Sequence, residues 1–110
     1  MPIRAQAQEG VTISDDVRTH VQDFYKQNKR YPNDNTEAAL PASDQIKGQY
    51  VSKVEVDHGK VVVYFDGVRT SRLIAGGYLV FRPSQNGELL RWECKSESSV
   101  GYKFLPVACK

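Results

Sequence analysis

No stretch of this 110-residue chain approaches the roughly 18–20 consecutive apolar residues that cross a bilayer. Met1-Pro2-Ile3 passes straight into polar Arg4-Ala5-Gln6, so no signal peptide is expected. Only two cysteines (Cys94, Cys109) and two histidines (His20, His58) are present. Neither histidine has metal-ligand spacing to a cysteine, so no zinc site is expected. Asp34, Asp44 and Asp57 are too scattered for a calcium loop. There is no Gly-x-Ser-x-Gly elbow, and Gly76-Gly77 lacks the rest of a phosphate loop. Asp15-Asp16 reads as a solvated pair on a helix surface, and His20 follows Asp16 at i+4. With no convergent set of nucleophile, base and metal ligands, the chain is not expected to be an enzyme or to hold a cofactor.

Present instead is ordinary globular composition, 40% hydrophobic and 25% charged, in one domain's worth of sequence, 1–110. The net charge of +2 is too small to mark a nucleic-acid binder by itself. It is unevenly placed. Residues 1–59 carry 7 Lys/Arg and 9 Asp/Glu, a net −2, whereas residues 60–110 carry 8 and 4, a net +4. The excess lies in Arg69, Arg72, Arg82, Arg91, Lys95, Lys103 and Lys110, with Tyr78, Phe81, Trp92, Tyr102 and Phe104 among them. Cations with interleaved aromatics are a candidate DNA or anion surface. The competing reading puts the aromatics in the core and the charges in a solubility coat.

Residues 4–29 read as one helix, because Val17, Val21, Phe24 and Tyr25 form an apolar stripe of helical period. Gly10 costs such a helix about 1 kcal/mol relative to Ala. Pro32 forbids continuation. Residues 30–47 are a turn-rich connector, with one helical turn expected near Thr36–Leu40. From Gly48 the period changes to two. Strands are expected over 49–56, 60–66, 78–82 (stopped by Pro83) and 88–94, with Asp57-His58-Gly59-Lys60 as a tight turn. Trp92 and Phe81 are expected in the core. Residues 94–110 read as an irregular loop. Cys94 and Cys109, fifteen positions apart, are either two buried thiols or a disulfide closing that loop, the latter worth about 3 kcal/mol. A helix followed by a run of strands is α+β: a long N-terminal helix on a four-stranded antiparallel sheet (48–94) with a C-terminal loop.

Four stretches resemble the globular part of a type IV pilin. Arg4-Ala5-Gln6-Ala7-Gln8-Glu9-Gly10 resembles the segment that follows the pilin membrane anchor. Tyr25-Lys26-Gln27-Asn28-Lys29-Arg30-Tyr31-Pro32 resembles the end of the pilin helix, with Lys29 where Gly is usual. Ile46-Lys47-Gly48-Gln49-Tyr50-Val51-Ser52-Lys53-Val54, with Gly59, resembles the first pilin hairpin. Leu79-x-Phe81-x-Pro83, Trp92-x-Cys94 and Tyr102-Lys103-Phe104-Leu105-Pro106-x-x-Cys109 resemble the last strands and the disulfide-bounded loop.

The resemblance implies a structural subunit of a bacterial surface filament that serves twitching motility, attachment and, in some bacteria, DNA uptake. Its partners would be other pilin subunits in a homopolymeric helical fibre, the pilus assembly machinery, and DNA or a host surface. It implies a Cys94–Cys109 disulfide, and a cell-surface location reached from the inner membrane of a Gram-negative bacterium. Pilins begin with a basic leader, a processed and methylated N-terminus and an apolar anchor. None of these is in this sequence, and Met1-Pro2 reads as an artificial start. Without the anchor the chain is expected to be soluble and monomeric and not to polymerise by that route. Two alternatives are a pilin that acts as a DNA-uptake receptor, and a type II secretion pseudopilin. The second is disfavoured because the commonest pseudopilins lack the C-terminal disulfide loop.

Overall fold

A computed structural model describes residues 2–87, 89–94 and 99–110. Helix α1 runs Ile3–Asn28, and four strands follow among the described residues: β1 Val51–Asp57, β2 Lys60–Phe65, β3 Gly77–Asn86 and β4 Leu89–Glu93. Every neighbouring pair is antiparallel and the spatial order is β1-β2-β3-β4, a meander. Short 3-10 turns occupy Ser43–Gln45, Tyr102–Phe104 and Val107–Cys109.

The helix buries Ala7, Gly10, Ser14, Val17 and Val21 against the sheet, a spacing of three and four residues. Val17 and Val21 belong to the stripe legible in the sequence, and full burial of each contributes about 1.5–3 kcal/mol. The N-terminal part of this sheet-facing line is made of small residues, Ala7, Gly10 and Ser14. A Cβ at Gly10 would lie 2.6 Å from Phe65 Cζ and 3.0 Å from Val63 Cγ1. The glycine that weakens the isolated helix therefore lets α1 approach β2. Phe24 and Tyr25 are half-buried rather than central, Tyr25 stacking on Tyr31 with centroids 5.1 Å apart.

The core lies between α1 and the inner face of the sheet, centred on Val54, Val56, Val61, Val63, Phe65, Leu79 and Phe81. Three sequence expectations need correction. Simple alternation puts Val51 opposite Val54, but both are buried because the register shifts between Val51 and Lys53, returning Val51 to the core side. Pro83 does not stop β3, which continues to Asn86. Val61 opposes Phe81 and β2 begins at Lys60, so Pro83 lies past the end of β2. Leu90 N–H turns away from β3 to Gln22, which makes Pro83↔Trp92 a pair without ladder bonds, where proline removes nothing. Trp92 is half-buried and packs on the rim of the core, beside Asp15, Arg18, Thr19 and Gln22 of α1. β4 lies at the sheet's margin, so its indole meets the flank of the helix rather than its buried stripe. Phe81 is buried as expected, with the Arg18 guanidinium 4.5 Å from its ring centroid.

The connector lies along the outer edge of β1. Buried Asn35 accepts Val56 N–H on Oδ1 (2.7 Å) and donates from Nδ2 to Val54 O (3.2 Å) and Pro41 O (3.0 Å). The helical turn expected near Thr36–Leu40 is a hydrogen-bonded turn, entered where Asp34 Oδ1 accepts Glu37 N–H. Side-chain amides thus cover both margins of the sheet: Asn35 at β1 and Gln22 at β4. The β1–β2 hairpin turns on His58 (φ 52°) and Gly59 (φ 88°), two consecutive positive values that suit a two-residue hairpin.

Candidate functional site

The entry to β1 lies at Glu9, near the start of α1, and the β1–β2 turn lies against Tyr31, just past its end, so loops gather at both ends of the helix. The end around the first turns of α1 is the more elaborate. Glu9 reaches the entry to β1, where its carboxylate accepts Tyr50 and Val51 N–H on Oε1 (2.9 Å each) and Gln49 N–H on Oε2 (3.2 Å). Buried Gln6 accepts Ser71 N–H at 2.9 Å and ties down the 66–76 loop. Thr70 Oγ1 donates to Tyr50 O at 2.8 Å, and Arg69 N–H donates to Gln49 O at 3.1 Å.

The C-terminal segment closes the same end. Cys94, just past β4, is disulfide-bonded to Cys109, and both are buried. The bond closes a loop that pure chain entropy makes worth about 3 kcal/mol. Ser99 takes the place beside β3 that β4 leaves free, its N–H donating to Tyr78 O (3.1 Å) and its Oγ accepting Tyr78 N–H (2.9 Å). Val100, Leu105 and Pro106 are buried beneath it. Between this segment and α1 runs a groove of about 510 Å³, lined by Pro2, Arg4, Ala5, Gln8, Lys103 and Val107.

The basic residues singled out in the sequence fall on three parts of the fold. Arg69 and Arg72 are exposed on the 66–76 loop. Arg82 and Arg91 are exposed on the outer face of the sheet, where Glu93 stands directly opposite Arg82 and supplies a counter-charge. Lys103 and Lys110 lie on the C-terminal segment, with Lys110 Nζ 5.1 Å from the Tyr102 ring centroid. Lys95 lies outside the described residues. The aromatics divide likewise: Phe81 is core, and Tyr64 and Tyr78 meet on the outer face at 6.3 Å. Two cations of the first-turns end, Arg4 and Lys47, escaped the sequence reading because they belong to its net-acidic half. No local signal marks them; Arg4 lies on the first turn of α1, and the Glu9 bonds to Gln49 and Tyr50 bring Lys47 to the same end.

At the opposite end two carboxylates are paired. Arg30 and Glu37 form a paired fork (3.1 and 3.0 Å), and Glu37 also accepts Asn33 N–H at 2.7 Å. The Arg30 hydrogen bond, then the Asn33 amide, hold the Glu37 carboxyl down at about 2. His58 Nδ1 sits 2.7 Å from Asp57 Oδ1, and this contact lowers the Asp57 carboxyl. Half-buried Arg18 is lowered by desolvation, partly offset by Asp15, and donates to Val11 O at 2.8 Å and Ser14 O at 3.3 Å. Among the described residues, no three His, Cys, Asp or Glu side chains gather where they could hold a metal, and no helix is long and apolar enough to cross a membrane.

A long helix laid on an antiparallel meander, with a disulfide tying the last strand to the C-terminal segment, is the architecture of filament subunits that the sequence resemblance implied. The profile of the family described as Pilin (bacterial filament) matches residues 3–110, and the chain belongs to that family, one of structural filament subunits rather than enzymes. It is 29% identical over 91 residues to the type IV major pilin protein PilE of Neisseria gonorrhoeae. It is 32% identical over 92 residues to a fimbrial protein of Neisseria meningitidis serogroup B. Each alignment covers 83% of this chain and 54% of the relative, so the chain spans about half the length of these relatives. Fimbrial protein EcpC of Eikenella corrodens is 24% identical over 111 residues, covering 97% of this chain and 70% of EcpC.

Proposed function

We propose that this chain is the globular part of a subunit of a type IV pilus, a bacterial surface fibre assembled from many copies of one protein. The observation that carries the reading is the pilin-family match over residues 3–110. It coincides with α1, the meander and the Cys94–Cys109 closure. Subunits joined by a heterologous contact that does not close form an open helical fibre. Other subunits and the pilus assembly machinery are then the partners, and surface attachment, twitching motility and DNA uptake are the activities to which the fibre contributes.

The test is immunogold electron microscopy of the source bacterium with antibody raised against this chain. Antibody should decorate surface filaments along their length, and the filaments should vanish when the gene is deleted. Filaments that persist undecorated would overturn the assignment. Twitching zones and transformation frequency in the same deletion strain would then separate motility from DNA uptake.

A further inference from the structure

We propose that the end of the molecule formed by the first turns of α1 and the loops around them docks on an anionic phospholipid surface. The proposal stands on surface chemistry and does not depend on the filament reading. Arg4, Lys47, Arg69, Arg72 and Lys103 are all exposed there. Their shared location follows from contacts: the groove joins Arg4 to Lys103, Gln6 holds Ser71 between the two loop arginines, and Lys47 shares a second hollow with Asp66 and Val68. Glu9, the carboxylate of α1 at this end, is occupied by three backbone N–H groups. Asp66 and, three residues before Lys47, Asp44 are the other carboxylate side chains among the described residues of these loops, two against the five cations.

Charge is half of the observation. Val68 is 98% exposed, Val107 77%, Tyr102 70% and Leu73 65%, and all four lie on these same loops. The 66–76 loop is not loosely attached: Gly67 N–H and Thr70 Oγ1 bond Tyr50 O, Arg69 N–H bonds Gln49 O, and Ser71 N–H bonds Gln6. Val68 and Leu73 are therefore presented to solvent by a well-bonded backbone, and a cluster of such residues calls for something to cover it. Cations, aliphatic tips and a tyrosine around one end of the molecule match a membrane interface. Basic residues there meet acidic headgroups, apolar side chains enter the acyl boundary, and tyrosine sits at headgroup level. DNA would use the cations and leave the apolar tips bare. A second copy docking through its opposite end would find two of that end's carboxylates already engaged, Glu37 with Arg30 and Asp57 with His58 and Lys60.

The experiment is sedimentation of the chain with vesicles at low salt, comparing phosphatidylcholine alone with an equal mixture of phosphatidylcholine and phosphatidylglycerol. Binding should appear with the anionic vesicles alone. Arg72→Ala with Lys103→Ala should weaken it about 25-fold, at about fivefold per cation removed. Val68→Ser with Leu73→Ser should weaken it several-fold more in moderate salt than in low salt. Lys26→Ala with Lys60→Ala, away from this face, should leave it unchanged, and thermal melts should show each variant folded. Absence of binding to the anionic vesicles would overturn the proposal, as would equal loss in the control pair. Duplex DNA bound as tightly as vesicles, without dependence on Val68 and Leu73, would reduce the face to a general polyanion surface and overturn it. So would self-association without vesicles that depends on these residues, which would give the face to a second copy.

Discussion

The carboxylate of Glu9, on the second turn of the helix, accepts the backbone N–H of Tyr50 at 2.9 Å across forty-one positions of sequence. The same group holds the N–H of Gln49 and Val51, so one side chain organises the entry to β1. Hydrogen bonds to a charged acceptor contribute about 1.5–3 kcal/mol, and N–H groups left without a partner add a desolvation cost. Glu9→Ala should therefore lower the unfolding free energy by about 2–3 kcal/mol in urea titration, and Glu9→Gln by less. A loss below a few tenths would mean that water replaces the carboxylate without cost.

Gly10→Ala sets two effects of opposite sign against each other. Helix propensity favours alanine by about 1 kcal/mol. The added methyl would meet buried Phe65 and Val63 at 2.6 and 3.0 Å, and overpacking of this kind costs about 1–3 kcal/mol. Net destabilisation is expected in chemical denaturation. A stabilised variant would show that the Phe65 ring yields freely.

Lys29 closes α1 in the left-handed conformation, φ 59° and ψ 25°, with its N–H bonded to Tyr25 O at 2.8 Å. A residue with a Cβ pays about 1–2 kcal/mol for that conformation, whereas glycine adopts it freely but loses more entropy on folding. Lys29→Gly should raise stability by about 0.5–1 kcal/mol, read as a higher melting temperature. An unchanged or lowered melting temperature would contradict the strain.

Glu37 carries the clearest pH dependence. Its carboxyl titrates at about 2 in the folded protein, against an ordinary 4.5. Between these values the unfolded chain binds the proton and the native chain does not. The contribution is complete above pH 4.5 and is lost as pH falls through about 2. An NMR titration of the Glu37 side chain should give that low midpoint, and Arg30→Ala should move it upward. A midpoint at 4.5 in the unaltered protein would show the Arg30 fork open in solution.

Element types were legible where local pattern and burial agree. Val17 and Val21 lie on the buried helix face, and the hairpin at His58-Gly59 falls where the turn chemistry puts it. Ala7, Gly10 and Ser14 escaped the apolar stripe because they are small rather than oily. Their burial is a matter of how closely two elements approach. Pro83 misled because a proline stops a strand only where its missing N–H has a neighbour to bond, and the relative lengths of β2 and β3 settle that. The seven basic residues could be counted but not placed. Register put Arg82 opposite Glu93, while chain closure put Lys103 beside Arg4.

By itself the sequence determined the order of the elements, the helix-to-strand change of period at Gly48 and the family, because these depend on neighbours a few positions apart and on short motifs. Tertiary structure alone decided which side chains cover the sheet margins, as Asn35 and Gln22 do. It also decided that Glu9 serves backbone groups more than forty positions away, and that cations from a net-acidic half and a net-basic half share one end. Hydrogen bonds and surface charge act over a few ångströms of space, and folding brings distant parts of the chain within that reach.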